Sequence, residues 1–218
     1  MKSRTKVRIS RIWNYPSEIG ERWGWNWLIY NPGVFVEFAM VAKRNAPIFT
    51  RALQEVFPNA DSFNDIGCGT GQFVRCLVQS GKVARGYEYS RVARMFARLV
   101  GIEVRDFDVS RDFTKLFDPY ADVALSLEVG EHIPSHLSRS FVHAIALAGE
   151  QIVFTAAQPG QKGHGHINCQ SKQYWESLFI KEGFIKSPTK EKAFIELLSQ
   201  DSRLSPFLRE NLQVFIRV

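Results

Sequence analysis

Residues 65–71, with the sequence DIGCGTG, constrain the fold of this chain more than any other stretch. Residues 62–64 are typical of the end of a short strand, and after the glycines four apolar residues recur at helical spacing: Phe73, Val74, Leu77 and Val78. The pattern predicts a strand, a tight turn and a helix. Glycines at alternate positions let the backbone turn sharply, so that a ligand can lie against bare main chain and the N–H groups of the new helix.

Two common glycine motifs do not match this turn. The dinucleotide-binding fingerprint requires a third glycine three residues after the second, where this chain has Gln72. The phosphate-binding P-loop requires a Gly-Lys-Ser/Thr sequence, which does not follow here. An ordinary strand-to-helix turn in some other α/β protein is the alternative interpretation, so the rest of the chain has to decide.

Strand-like and helix-like segments alternate after residue 60. Strands are predicted at 62–66, 84–89, 102–108, 122–128 and 151–156. Helices are predicted at 70–80, 90–100, 135–148 and 171–183. This alternation is typical of βαβ units with right-handed crossovers, and it predicts an α/β fold with a mainly parallel sheet. Before this core, residues 34–57 predict one or two helices, with Pro47 marking a break or a new start.

The bulk properties favour one cytoplasmic domain. A length of 218 residues predicts a single domain, and no apolar run is long enough to cross a membrane. The three cysteines, Cys68, Cys76 and Cys169, show neither metal-ligand spacing nor a disulfide pattern, which favours a reducing cytoplasm. The net charge of +6 favours an anionic partner only weakly.

Residues 1–33 are predicted to form a basic and aromatic arm in front of the core at residues 60–218. The first eleven residues hold five basic side chains and no acid, and residues 12–33 hold four of the five tryptophans. The basic part fits either a solvated terminus or a contact with phosphate or an acidic lipid surface. The aromatic part fits a cap on the core, a wall of a substrate pocket or a base-stacking surface.

Acidic residues end the first three predicted strands, at the edge where an open parallel sheet binds its ligands. Asp65 ends the first strand, just before the glycines. Glu88 ends the second strand, about 20 residues beyond the turn, where an acid can accept hydrogen bonds from both ribose hydroxyls. After the third strand, Asp108 can accept a hydrogen bond from the amino group of adenine, and Asp106 fits that role too.

A denser group of polar residues follows the fourth and fifth strands. Two carboxylates and an imidazole lie within five residues: Glu128, Glu131 and His132. Burial of these groups without a partner would be costly, so a ligand or solvent has to face them. The loop at residues 156–170 adds glycines and the histidines His164 and His166, a composition typical of a substrate loop.

Together these residues resemble the class I S-adenosylmethionine (SAM)-dependent methyltransferases, over about residues 60–160. The glycine turn, the acid after the second strand, the Asp after the third and the Glu-x-x-Glu-His after the fourth occur in that family's order and spacing. The last element is similar to the ubiquinone-biosynthesis, or methyltransferase type 11/23, branch and to the small-RNA 2′-O-methyltransferases.

The resemblance implies a three-layer, Rossmann-like sandwich with helices on both faces of a seven-stranded sheet in the order 3-2-1-4-5-7-6. One strand would be antiparallel, and residues 184–188 and 212–218 fit the two end strands. The resemblance also implies SAM as the cofactor. The residues expected to bind it are Asp65, Gly67, Gly69, Gly71, Glu88, Asp108 and Glu128.

Methyl transfer to oxygen requires an aligned acceptor and a group that removes its proton, and histidine suits the second task near neutral pH. The candidate catalytic residues are His132, His166 and Glu131. In one arrangement, His132 or His166 is a general base. In the other, Glu128, Glu131, His132 and His166 bind a divalent metal such as Mg²⁺ or Mn²⁺, as the small-RNA methyltransferases do. A structural role for Glu131 and His132, capping the next helix, is the third interpretation.

The sequence therefore predicts a SAM-dependent methyltransferase that acts on an oxygen, in preference to a nitrogen, of a small-molecule, sugar or lipid-linked acceptor. An RNA or nucleotide 2′-O-methyltransferase with a divalent metal is the first alternative. The concentration of basic charge in the arm disfavours a nucleic acid partner, because nucleic-acid enzymes usually show a broader basic surface. A SAM- or nucleotide-binding module without catalysis is the second alternative.

Overall fold

The structure is a computed structural model that describes residues 32–117 and 120–218. The predicted basic and aromatic arm at residues 1–33 lies outside the described residues, apart from its last two. The strands are β1 (Ser62–Ile66), β2 (Val83–Glu88), β3 (Val104–Asp106), β4 (Ala121–Leu127), β5 (Gly149–Thr155), β6 (Phe184–Lys186) and β7 (Gln213–Arg217). The helices are α1 (Pro32–Val56), α2 (Gln72–Gln79), α3 (Arg91–Leu99), α4 (Ser138–Ala148), α5 (Lys172–Lys181), α6 (Pro188–Ser199) and α7 (Pro206–Glu210).

The strands of the described residues form one seven-stranded sheet in the order β3-β2-β1-β4-β5-β7-β6. β1 to β5 pair in parallel, as right-handed crossovers through helices require. β7 runs antiparallel to both of its neighbours, β5 and β6. The predicted Rossmann-like α/β fold, its strand order and its one antiparallel strand are therefore confirmed.

The central strands are apolar on both sides because helices cover both faces of the sheet. Successive residues of β5 show this alternation: Ile152 and Phe154 belong to one buried cluster, and Val153 belongs to another. On the first face, β5 packs against Phe141 of α4 and Trp175 of α5. On the second face, the buried side chains come from α1, α2, α6 and α7.

Two parts of the chain differ from the prediction. α1 is a single helix, which is one of the two alternatives predicted, but it continues through Pro47 without the expected break. Pro47 removes one backbone hydrogen bond, but Ala46, Phe49 and Leu53 beside it are all fully buried, and their packing holds the helix together. The second difference is the segment between β6 and β7, which forms the unpredicted helices α6 and α7.

The carboxyl ends of β1, β2, β4 and β5 meet at one edge of the sheet, as parallel pairing requires. A hollow of about 160 Å³ lies at the opposite edge, between the chain at residues 57–60 and Lys190. It is lined by residues at the amino ends of the strands, including Asp122 and Glu150, so it is remote from the predicted site residues. None of the helices in the described ranges combines the length and the apolar character that crossing a membrane requires.

Candidate active site

The glycine turn at residues 67–71 leaves β1 through three residues with positive φ: Gly67 at 79°, Gly69 at 53° and Gly71 at 73°. A Cβ on Gly67 would lie 2.6 Å from Cγ2 of Val129, so the turn packs directly against the segment that follows β4. A Cβ on Gly69 would meet no other atom of residues 32–117 and 120–218 within 4 Å. Among these residues, the turn is therefore closed by packing at Gly67 and leaves space beside the backbone at Gly69.

Two buried polar side chains at the turn lack partners. Asp65 is 2% exposed, and its Oδ2 makes no hydrogen bond within residues 32–117 and 120–218. Burial, and secondarily the charge of Glu88, raise the pKa of Asp65 to about 7. The hydroxyl of Thr70 is also buried without a partner among these residues. Since unsatisfied buried polar groups are rare, these two atoms favour a ligand with hydrogen-bonding groups at the turn.

Glu88 links the turn to the start of α3. Its Oε2 accepts a hydrogen bond from the Gly69 N–H at 2.9 Å, and its Oε1 accepts one from the Ser90 N–H at 2.7 Å. Burial raises the pKa of Glu88, and these two hydrogen bonds oppose part of that rise. Each carboxylate oxygen has a second lone pair, so the carboxylate retains the capacity to accept from a ligand.

The two aspartates near β3 have different surroundings. Asp106 is exposed and forms ion pairs with Arg94 and Arg111. Asp108 is mostly buried and accepts two hydrogen bonds from Ser110, at 2.9 Å from the N–H and 2.6 Å from the hydroxyl. Burial alone would raise the pKa of Asp108, but the Ser110 hydrogen bonds and the charge of Arg111 hold it below its usual value. The surroundings of Asp108 suit the predicted adenine contact better than those of Asp106.

Glu128 directly follows β4 and has a backbone φ of 57°, in the left-handed region. Its N–H donates to the backbone oxygen of Thr155 at 3.0 Å and to the Thr155 hydroxyl at 2.9 Å. Its carboxylate accepts from the Asn211 amide. Burial raises the pKa of Glu128, and the hydrogen bond from Asn211 opposes part of that rise.

The side chains of Glu131, His132 and His166 come together as a carboxylate–histidine cluster. One potential ligand atom from each lies within 4.8 Å of the other two. The two imidazole rings are 5.1 Å apart, and His166 Nε2 is 3.9 Å from Glu131 Oε1. Three of the four predicted metal ligands are thus brought together, and Glu128 is not part of this group. His164 is half-buried and is not a member of the cluster either.

Burial dominates the electrostatics of the cluster. Glu131 is fully buried, and its carboxylate lies beside the Ala157 N–H and the Glu128 carboxyl without a well-formed hydrogen bond to either. Burial, followed by the charge of Glu128, raises the pKa of Glu131 to about 8. Burial lowers the pKa of His132 to about 4. Burial therefore disfavours the charged forms of both Glu131 and His132.

Hydrogen bonds to the backbone orient both histidines. His132 Nδ1 lies 3.1 Å from the Gly165 oxygen, and His166 Nδ1 lies 3.1 Å from the Gln161 oxygen. Because a carbonyl can only accept, each neutral imidazole carries its proton on Nδ1 and its lone pair on Nε2. Both rings thus have the tautomer that a general base or a metal ligand needs.

The 156–170 loop is tied to the cluster by contacts that were not expected from the sequence. The N–H groups of Ile167 and Asn168 both donate to the backbone oxygen of Glu131 at 2.9 Å. A Cβ on Gly163 would lie 2.1 Å from His166 Nε2, so only glycine leaves room for the ring at this position. The glycine-rich run that holds Gly163 could have indicated this close contact from the sequence. No local pattern indicates that Asn211 contacts the site.

A family model described as a methyltransferase domain matches residues 39–200. No curated protein shows significant sequence similarity to the chain.

Three solved structures share the fold. The magnesium protoporphyrin IX methyltransferase from Synechocystis PCC 6803 with bound SAH is 14% identical, with a TM-score of 0.60 over 99% of this chain and 100% of that chain. A SAM-bound amino pentose methyltransferase from Micromonospora echinaspora is 13% identical, with a TM-score of 0.59 over 84% and 97%. A TehB-like SAM-dependent methyltransferase from Corynebacterium glutamicum is 16% identical, with a TM-score of 0.59 over 86% and 100%.

Proposed function

The chain belongs to the SAM-dependent methyltransferase family, and we propose that it transfers the methyl group of SAM to an oxygen atom of a small-molecule, sugar or lipid-linked acceptor. The observation that carries the proposal is the proximity of the carboxylate–histidine cluster to the glycine turn. Val129 touches Gly67 of the turn, and it lies between Glu128 and Glu131 in the sequence. A cofactor at the turn would therefore lie beside groups able to accept a proton.

The residues proposed to hold SAM are Asp65, Gly67, Gly69, Gly71, Glu88, Asp108 and Glu128. The unpartnered oxygens of Asp65 and Thr70 and the open backbone at Gly69 fit a ligand with several polar groups. When bound, SAM supplies a methyl group on a positively charged sulfur. The chain has to orient the acceptor, exclude water and take up the proton that the acceptor oxygen loses.

His166 is the better candidate for the general base. His166 Nε2 lies 3.9 Å from Glu131 Oε1, so an ionised Glu131 would stabilise the imidazolium that forms when Nε2 takes up a proton. His132 is disfavoured as the base because burial lowers its pKa to about 4. In this arrangement, His132 stays neutral and orients the acceptor through Nε2.

The same three residues support a second arrangement, in which Glu131, His132 and His166 bind a divalent metal. One carboxylate and two imidazoles are a common ligand set for Fe²⁺, Mn²⁺ or Zn²⁺. The specific observation in its favour is the buried Glu131 carboxylate, which lacks a well-formed hydrogen bond in the described residues. A metal there would lower the pKa of an acceptor hydroxyl, and the two imidazoles would then be ligands rather than bases.

The small-molecule acceptor is supported by two of the structurally similar proteins, which are named as a magnesium protoporphyrin IX methyltransferase and an amino pentose methyltransferase. Another protein of similar structure, named as a sugar N-methyltransferase, keeps a nitrogen acceptor among the alternatives. An RNA or nucleotide 2′-hydroxyl is the other alternative. The metal arrangement would favour it, because the small-RNA methyltransferases that the sequence resembles use a metal bound by such residues.

Methyl transfer from labelled SAM to a panel of sugars, phenols, lipid-linked sugars, amines and oligoribonucleotides tests the proposal. Each reaction is run with a chelator and with added Mn²⁺ or Mg²⁺. His166→Gln should reduce the transfer rate at least about 100-fold, as expected for loss of a general base, and should leave SAM affinity within about twofold. His143→Gln is the matched control, because His143 pairs with Glu182 at the surface.

Transfer that requires added metal, and that the chelator abolishes in every reaction, would support the metal arrangement over the general base. SAM binding with a wild-type transfer rate in His166→Gln would contradict both arrangements. Transfer to amines or oligoribonucleotides alone would contradict the proposed class of acceptor.

A further inference from the structure

Asn211 connects two parts of the site that are far apart in sequence. It follows α7, and its side chain is almost fully buried. Its Nδ2 lies 3.1 and 3.3 Å from the two carboxylate oxygens of Glu128, and 3.0 Å from Oε1 of Gln161. Its Oδ1 accepts a hydrogen bond from Gln158 Nε2 at 3.1 Å. One buried amide thus contacts both the acid that follows β4 and the loop that follows β5.

The Glu128 backbone needs such support. Within residues 32–117 and 120–218, Glu128 is the only non-glycine residue with a positive φ. The left-handed conformation is strained for a residue with a side chain, and it persists only where the surroundings enforce it. Thr155 holds the N–H of Glu128 from β5, and Asn211 holds its carboxylate.

The position requires a neutral donor. Both oxygens of Glu128 and the Oε1 of Gln161 are hydrogen-bond acceptors, and they converge on the Nδ2 of Asn211. An asparagine amide can donate to them, whereas an aspartate of the same shape would present a further acceptor and a second negative charge. Gln161 also accepts from the N–H of Gln158 at 2.8 Å, so the Asn211 amide completes the closure of this part of the loop.

We propose that Asn211 is a positioning residue for methyl transfer, which sets the orientation of the Glu128 carboxylate and anchors residues 158–161 against it. The inference rests on the proposed function, since Glu128 is there a SAM-binding residue. The segment between β6 and β7, which carries Asn211, is in this view part of the active site as well as of the fold. The Gln161 backbone oxygen also holds His166, so the same anchor reaches the proposed base.

The test uses Asn211→Asp and Asn211→Ser in the full chain, with SAM affinity measured by titration calorimetry and backbone hydrogen exchange measured by mass spectrometry. Asn211→Asp should weaken SAM binding at least tenfold and speed exchange at residues 158–161 at least tenfold. Asn211→Ser introduces no charge, so it is the variant to use if Asn211→Asp does not fold. It should show both effects in the same direction.

Asn45→Asp is the matched control. Asn45 is equally buried and also binds the segment between β6 and β7, through two 3.0 Å hydrogen bonds with Ser205. Its partners do not include Glu128 or Gln161. Asn45→Asp should therefore lower the melting temperature while SAM affinity stays within about twofold of the wild type.

A rescue variant separates positioning from general destabilisation. In Glu128→Gln/Asn211→Asp the donor and the acceptor of the 128–211 contact are exchanged, while Gln161 Oε1 still lacks its donor. The melting temperature should therefore recover towards the wild type, and exchange at residues 158–161 should stay fast. Asn211 variants with wild-type SAM affinity would overturn the proposal, as would an equal loss of affinity in Asn45→Asp at an equal loss of melting temperature. Failure of the wild-type protein to bind SAM would overturn the cofactor site and the positioning role together.

Discussion

Replacing Asp65 by asparagine should change how the stability of the SAM-free protein depends on pH. Burial, and then the charge of Glu88, raise the pKa of Asp65 from 3.8 to about 7 in the folded state. The folded protein therefore holds a proton on Asp65 that the unfolded chain releases near pH 4. The contribution of Asp65 to stability is therefore fully present below pH 4 and is lost as the pH rises towards 7. Asparagine cannot ionise, so the variant should lack this loss.

The size of the effect follows from the pKa. A carboxyl pKa raised from 3.8 to about 7 corresponds to about 4 kcal/mol, since each tenfold change in proton affinity is about 1.4 kcal/mol. Between pH 5 and pH 8, the free energy of unfolding of the wild type should fall by about 2–3 kcal/mol more than that of Asp65→Asn. For a domain of this size the difference is about 5–10 °C in melting temperature.

Urea unfolding of both proteins across this pH range measures the difference directly, and contributions from other titrating groups largely cancel in the subtraction. Asp61→Asn is the control, because it removes a carboxylate whose side chain is 87% exposed and pairs with Lys82 at the surface. Such surface pairs contribute little, so this control should follow the wild type at every pH. A difference between wild type and Asp65→Asn that stays constant from pH 5 to pH 8 would refute the argument.

Three further outcomes are expected. Gly163→Ala should displace His166 and slow methyl transfer at least about tenfold with SAM affinity unchanged, measured by transfer kinetics and calorimetry. In urea unfolding, Gly81→Ala should lower the free energy of unfolding by about 1 kcal/mol, because of its positive φ alone. Gly67→Ala adds a clash with Val129 and should lower it by at least about 2 kcal/mol more. Glu88→Gln should weaken SAM binding at least about tenfold by calorimetry.

Local patterns predicted the elements that local chemistry determines. The glycine turn was predictable because positive φ at alternate positions leaves few residue types that fit, and the structure has all three glycines there. The alternation of strands and helices was predictable from hydrophobic period and capping, as Ser90 shows at the start of α3. The strand order followed from the family resemblance and not from any single segment.

Where tertiary contacts decide, the sequence was a poorer guide. α1 passes through Pro47 because buried side chains on both sides of the proline hold the helix, and that burial is invisible in the local sequence. α6 presents few buried residues, chiefly Phe194 and Leu198, so its periodicity is weak. The third strand was predicted at 102–108, but only residues 104–106 pair with β2.

The candidate site divides in the same way. The residue types at the strand ends indicated Glu131, His132 and His166 as a group, and the structure brings these three together. Glu128 was predicted as a fourth metal ligand, but its carboxylate accepts a hydrogen bond from Asn211, 83 residues later in the chain. No local pattern indicates this contact. Contacts over such separations depend on the whole topology.

The inner position of β7 has a consequence for synthesis on the ribosome. β7 comes last of the strands in sequence, yet it lies between β5 and β6 and pairs with both. Until residues 213–217 have been made, β5 offers an open edge lined by Ile152, Val153 and Phe154, all fully buried in the finished sheet. Such an apolar edge pairs readily with other chains. The chain is therefore open to aggregation through the edge of β5 until β7 has paired with it.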